Sequence, residues 1–275
     1  MKQRLIIAAV FVPLLFIVMF FLPSYVFAVV VAIVSAMCAY ELLRAIGGAL
    51  NDRIVIYTVF AAVLVTLGAY FDVGTPAFIA VVLVLMSLLF FEAIRAFGGQ
   101  RRVFFLQVMI SLFGGAIIPY LLSTLVSMKN MQEGRLFVLL PVISAFITDA
   151  GAYFAGVTLG KKKAFPMVSP GKTVEGFLGG LVAGVASVFL YGVVLLYNTF
   201  HEINFPLLIL YGAVGAVFTE LGDLAFSYLK REFGIKDFGR LLPGHGGMLD
   251  RFDSMVFTAP AMWLLATAVP AIIVQ

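Results

Sequence analysis

The chain has 275 residues, of which 63% are hydrophobic and only 12% charged, with a mean hydropathy of +1.12. Soluble domains average about 45–50% apolar and about 25% charged residues, so this composition excludes an ordinary water-soluble protein. The net charge of +4 comes from Lys and Arg in short segments between apolar runs, which argues for membrane topology and anionic ligands over nucleic-acid binding. The single cysteine, Cys38, excludes a disulfide or thiolate-metal framework.

Apolar runs near the ~20 residues that cross a bilayer recur at about 4–21, 24–43, 54–71, 76–96, 104–127, 136–159, 174–197, 204–228 and 253–274. They predict an all-α polytopic membrane protein of about nine transmembrane helices. The first run follows Met1-Lys2-Gln3-Arg4 as a signal peptide would, but its apolar stretch exceeds the usual 7–15 residues, so it reads as a retained anchor. With a cytoplasmic N-terminus, sixteen of the eighteen Lys and Arg residues fall inside, leaving Lys129 and Arg135 outside. The odd number of spans then places the C-terminus outside.

The second and fourth runs end in related phrases, Glu41-Leu-Leu-Arg44-Ala-Ile-Gly-Gly48 and Glu92-Ala-Ile-Arg95-Ala-Phe-Gly-Gly99, 51 residues apart. They suggest a duplicated two-helix hairpin. Glu and Arg three apart share a helix face, so each pair reads first as an interfacial ion pair and second as a contact to a site. Few other polar residues occur here, so residues 1–103 are expected to be scaffold and 104–275 the half that bears the chemistry.

In the sixth run, Asp149 and Tyr153 lie one turn apart, and an acidic residue within a span is a site candidate by default. The loop that follows carries Lys161-Lys162-Lys163 and Ser169-Pro170-Gly171-Lys172-Thr173. Its Gly-Lys-Thr is not a Walker A loop, because Pro166 stands where that motif needs glycine and no buried strand precedes it. Ser169 reads as an N-cap with Pro170 at the first helical position, giving a helix start suited to phosphate, with Lys172 as a mobile cation. The Lys triplet reads as a topological and lipid-surface charge run.

In the eighth run Glu220 and Asp223 share a face that Ser227 and Lys230 continue. Two carboxylates so aligned could hold a divalent ion or neutralise Lys230 or Lys172. From Ser227 to Asp253 the chain then packs five Lys or Arg, four carboxylates and His245. Charges near hydrocarbon must be hydrated, paired or in use. Gly244, Gly246 and Gly247 allow close backbone approach to an oxyanion, and His245 is a candidate phosphate contact. Asp250 and Asp253 follow in the first turn of the last run, where one could serve as a cap. Acidic pairs beside a glycine loop suit Mg²⁺, which takes one or two carboxylates and keeps water or phosphate as its other ligands; Mn²⁺ is the alternative, and a second cation is compatible with the acidic set. Without a Ser-His-Asp order, a cysteine nucleophile or a His cluster, carboxylates with Lys and Arg at a membrane boundary favour phosphoryl or nucleotidyl transfer.

Ser227, Lys230-Arg231, Lys236-Asp237, Pro243, His245-Gly246-Gly247 and Asp250-Arg251-Phe252-Asp253 resemble, in register, the signature of the phosphatidate cytidylyltransferases, the CDP-diacylglycerol synthases. The segments Ser169 to Gly176 and Thr148 to Gly156 are also similar to that family, so the resemblance covers about residues 145–255. It implies that the phosphate of phosphatidic acid attacks the α-phosphorus of CTP, releasing pyrophosphate and CDP-diacylglycerol for phospholipid synthesis, at the cytoplasmic face of a bacterial inner membrane. Asp223 and Asp250 are then the leading metal ligands, with Glu220 and Asp253 next and Asp149 a further catalytic candidate. Ser169, Lys172, Lys230, Arg231, Lys236, His245, Gly246, Gly247 and Arg251 would bind the phosphates of CTP and lipid. The expected partners are CTP, phosphatidic acid and membrane lipids, with a homo-oligomer left open. The alternatives are a CTP-using enzyme acting on another lipid, such as a CDP-archaeol-type synthase or a polyprenol kinase, and a membrane transporter. Clustering of the charges at one face disfavours transport.

Overall fold

The computed structural model describes residues 16–48, 51–99, 102–241 and 246–273. Most of the first expected span, and Pro243 and His245, lie outside the described residues. The chain divides into two compact units.

The first unit comprises residues 1–130 and 235–252. Its helices are α1 (Ser24–Ile46), α2 (Asp52–Tyr70), α3 (Gly74–Arg95), α4 (Phe105–Leu112) and α5 (Ile118–Asn130), with a π-helical turn at Phe113–Ile117 joining the last two. Asn51 caps α2 by accepting from the Arg53 N–H at 3.3 Å. The π-turn lets the backbone come close to its neighbours: a Cβ on Gly115 would meet Thr58 Cγ2 at 2.9 Å and Leu85 Cδ2 at 3.0 Å. Cys38, Leu43, Ile54, Leu89, Ile118 and Leu122 are buried around this turn's helices, so Cys38 is a packing residue. The buried Thr58 and Thr66 hydroxyls donate back to Ile54 O (2.8 Å) and Ala62 O (2.9 Å), which settles their polarity within α2.

The second unit comprises residues 131–234 and 253–275. It holds α6 (Gly134–Phe137), α7 (Leu139–Thr158), a hairpin of β1 (Lys163–Phe165) and β2 (Ser169–Thr173), α8 (Val174–Asn198), β3 (Glu202–Ile203) and α9 (Phe205–Glu232). The final helix, α10 (Leu249–Ala268), begins in the first unit and runs into the second, followed by β4 (Ile272–Ile273). Helices α7 and α8 meet backbone to backbone. A Cβ on Gly176 would meet Ala152 O at 2.9 Å, and one on Gly151 would overlap Ala183 Cβ. Small residues at such an interface are how helices associate in lipid, where no hydrophobic drive separates them from the solvent. The same closeness joins α9 to α10, where a Cβ on Gly222 would meet Asp253 O at 2.9 Å.

Seven helical stretches among the described residues are long and apolar enough to cross a membrane: Ser24–Ile46, Asp52–Tyr70, Gly74–Arg95, Phe105–Asn130, Gly134–Thr158, Val174–Asn198 and Phe205–Glu232. They coincide with seven of the nine expected runs. The last expected run differs: α10 starts earlier, with Asp250, Arg251 and Asp253 in its first turns, and ends at Ala268. The chain then leaves the helix, and Ile272 and Ile273 pair antiparallel with Ile203 and Glu202. Large apolar side chains face outward all along the helices, including Ile94 (73% exposed) and Val182 (68%). That surface is tolerable only against lipid, and the protein is an all-α polytopic integral membrane protein with, among the described residues, one short β-hairpin and one pair of two-residue strands distant in sequence.

Candidate active site

The polar residues of the second unit converge on Lys172. It sits in β2, one residue before Thr173, which accepts from the Gly176 N–H at 3.0 Å and so caps α8. The expectation that Ser169 caps this helix with Pro170 in its first turn is therefore corrected. Ser169 pairs with Phe165, Thr173 pairs with Lys163, and Pro170 lies within the strand. A two-stranded hairpin consists only of edges, where proline's missing N–H does no harm. Gly176 N is taken by the cap, and Glu175 of the first turn accepts from Lys161 N (3.0 Å) and Lys162 N (3.3 Å), which ties the base of the hairpin to the helix. The loop thus presents Lys172 rather than a bare helix start.

Lys172 is not mobile, as the sequence suggested, but ion-paired. Its ammonium donates to Glu220 Oε2 and lies 2.9 Å from Asp223 Oδ2. The Lys172 side chain is 21% exposed and that of Glu220 2%, so the pair is largely withdrawn from water. Desolvation pulls the Lys172 pKa down, but the Asp223 and Glu220 carboxylates outweigh it and hold the ammonium above the usual lysine range. Asp149 of α7 interacts electrostatically with Asp223, Asp253, Lys172 and Glu220, which places it in the same cluster. Lys230, two helical turns beyond Asp223, comes within 3.9 Å of Asp253 Oδ2, and Ser227 Oγ donates to Asp223 Oδ1 at 3.5 Å. Arg231 Nε donates to Val168 O at 3.3 Å, so it holds the hairpin's turn against α9.

One electrostatic cluster therefore draws four carboxylates and two lysines from α7, β2, α9 and α10. Glu220 Oε1 is buried and has no hydrogen-bond partner among the described residues, as is true of Thr148 Oγ1 and Ser144 Oγ. A Cβ on Gly180 would lie 2.9 Å from Glu220 Oε1 and 3.1 Å from Thr148 O, so this glycine clears the space in which the carboxylate stands. An orphaned buried carboxylate oxygen is costly unless something binds it. Mg²⁺ needs only one or two carboxylates with phosphate or water beside them, and the Glu220 and Asp223 donor set fits that requirement.

In the first unit the glycine loop has its own anchors. Gly246 has φ +79°, a conformation that glycine adopts without strain. Asp250 Oδ2 accepts from Phe238 N and Gly247 N, both at 2.9 Å, so Asp250 ties these two residues to the start of α10. Asp250 and Asp253 share the first turns of α10, but Asp250 serves this loop while Asp253 Oδ1 accepts from Ser254 N at 2.8 Å. Lys236 and Arg251 are exposed on the same unit, and Gly247 is buried. His245 lies outside the described residues.

Sequence reasoning read Glu41 first as the ion-pair partner of Arg44 and only second as a contact to a site. Its expected partner Arg44 lies 3.5 Å from Asp52, and Glu92 pairs with Arg53 at 3.3 Å, so one arginine and one glutamate of the repeat find partners on α2. Glu41 Oε2 instead accepts from Leu249 N at 2.9 Å, 208 residues away. The signal was present as an acid repeated at a span's end, but spacing alone favoured the nearby arginine.

A model of the cytidylyltransferase family matches residues 2–269 of the chain. The chain is 42% identical over 134 residues to the phosphatidate cytidylyltransferase of Staphylococcus haemolyticus (strain JCSC1435), covering 49% of this chain and 50% of that protein. It is 44% identical over 137 residues to the phosphatidate cytidylyltransferase of Staphylococcus aureus (strain COL), covering 50% of this chain and 51% of that protein. The chain thus spans about half the length of the curated relatives it matches.

Proposed function

Because the chain belongs to the cytidylyltransferase family, we propose that it acts on CTP and phosphatidic acid within the membrane, forming CDP-diacylglycerol and pyrophosphate. The observation that carries this reading is the ion-paired cluster of Lys172, Glu220 and Asp223 beside Asp149, with Glu220 buried and its Oε1 without a hydrogen-bond partner among the described residues. In the reaction an oxygen of the phosphatidate phosphate forms a bond to the α-phosphorus of CTP. The bond from that phosphorus to the oxygen bridging to the β-phosphorus breaks, and pyrophosphate leaves. The attacking oxygen is already anionic, so no general base is needed.

Lys172 holds its proton and is preoriented by two carboxylates, which lets it stabilise charge on the phosphates without reorganisation. Glu220 and Asp223 would hold Mg²⁺, and that ion would polarise the phosphate. Lys230 and Arg231 extend the positive surface along α9. Lys236, Arg251 and the Gly246 amide would bind phosphate, the Gly247 amide being held by Asp250, with Ser169 lining the hairpin. The positive-inside count supports a cytoplasmic site, where CTP is available.

Purified protein in detergent is supplied with phosphatidic acid, Mg²⁺ and CTP labelled at either phosphate. Label from the α-position should enter the lipid and label from the γ-position should leave as pyrophosphate. Entry of the γ-label would mean a lipid kinase, and entry of neither would overturn the proposal.

A further inference from the structure

Glu41 lies on α1, in the stretch the sequence marks as scaffold, yet its side chain is spent on the glycine loop. It is 7% exposed, and Oε2 accepts from the Leu249 N–H at 2.9 Å. Two glycines of the loop yield to it. A Cβ on Gly239 would meet Glu41 Oε1 at 2.5 Å, and one on Gly247 would meet Oε1 at 2.6 Å and overlap Oε2. No other residue type fits at either position with Glu41 in place. The two carboxylates divide the loop between them, Asp250 holding Phe238 N and Gly247 N while Glu41 holds Leu249 N. A buried amide left without an acceptor is costly, so an acceptor oxygen that reaches it fixes geometry as well as energy. The duplicated Glu92 is also buried but engages the Arg53 guanidinium at 3.3 Å, so the repeat has diverged in use.

We infer that Glu41 is a positioning residue that sets the Gly246 to Asp250 segment from α1, acting through its reach and its acceptor oxygen and not through its charge. The catalytic consequence rests on the function proposed above; the anchoring contact does not. Three variants separate reach from charge. Glu41→Gln keeps the reach and an acceptor oxygen, and Glu41→Asp keeps the charge but is one methylene short. Glu92→Gln serves as the control. Hydrogen exchange of peptides covering 246–252, with α2 peptides as internal reference, reads the contact without turnover. Steady-state kinetics with CTP and phosphatidic acid read its consequence.

Glu41→Gln is expected to keep loop protection and turnover within about threefold. Glu41→Asp should expose the loop amides with α2 unchanged and lower kcat by about 10–100-fold, the range seen when groups supporting a site are removed, while KM for CTP moves less than about threefold. Protection of the loop in Glu41→Asp would overturn the inference. So would Glu41→Gln failing as deeply as Glu41→Asp, which would assign the effect to charge. Exposure of α2 together with the loop in Glu41→Asp, and again in Glu41→Met, would overturn it in favour of a core role. If the wild-type protein does not convert these substrates, the proposed function fails, and the exchange arm alone still decides the contact.

Discussion

Lys172 is the residue on which the second unit's charge balance turns. Removing its ammonium leaves Glu220, with a side chain 2% exposed, and Asp223, at 32%, without their cation. Breaking a buried pair from one side typically costs about 3–5 kcal/mol, and the partial exposure of Asp223 points to the lower end. Lys172→Ala should therefore lower the thermal midpoint in detergent as well as abolish labelling of lipid. Adding Glu220→Gln should restore much of the midpoint but none of the turnover, because the charge imbalance is relieved while the phosphate contact stays absent. Lys162→Ala, on the exposed triplet, should change neither. The raised pKa of Lys172 also sets a pH window. Because the folded value exceeds the ordinary lysine value near ~10.4, the ion-pair stabilisation is fully present below it and is lost only as pH rises through the folded value. The drop caused by Lys172→Ala should thus be the same at any pH from neutral to mildly alkaline, and a drop that vanished within that range would refute the assignment.

Between helices, small residues decide how the cluster is assembled. On α8, Gly180 and Gly184 face α7 and α9. A Cβ on Gly184 would meet Ala216 Cβ at 2.8 Å and overlap the Thr148 hydroxyl. Gly184→Val should push these helices apart, destabilise the protein by an overpacking cost of about 1–3 kcal/mol, and reduce turnover by misplacing Glu220 and Asp149 together. Val182 lies on the outward face of the same helix at 68% exposed, so Val182→Ala should behave as wild type. Thermal melts and lipid labelling of the two variants check this, and equal behaviour would show that the interface is not tightly set. The hairpin is the other element that matters. It converts a loop into a rigid arm, tied at its base through Glu175 and at its turn through Arg231, and so fixes where Lys172 points.

Across the whole molecule, the distribution of Lys and Arg predicts which ends of the helices face the cytoplasm. Lys162 and Asn198 are both exposed, Lys162 before the start of α8 and Asn198 as its last residue. In a Cys38→Ala background, a cysteine at Asn198 should react with an impermeant reagent added outside intact cells, and one at Lys162 only after the membrane is opened. Reversed accessibility would refute the cytosolic site. The β3 and β4 pairing brings 202–203 and 272–273 together, so the segment after α10 should label from the same side as Asn198.

Composition alone established the solvent and the helical class, because a run of about 20 apolar residues has one stable way to satisfy its backbone in lipid. Seven of the expected runs became helices with boundaries shifted by a few residues. The acidic and basic residues of α9 were legible as one face, since helical periodicity relates residues three, four and seven apart without any tertiary information. What sequence could not supply was partnership. Whether Glu220 and Asp223 stand open or hold Lys172, whether Ser169 caps a helix or pairs in a hairpin, and whether Glu41 meets Arg44 or Leu249 all depend on which segments arrive alongside. Local spacing favours the nearest partner. Burial rewards whichever partner satisfies a buried polar group most completely, and for Glu41 that partner lay 208 residues along the chain.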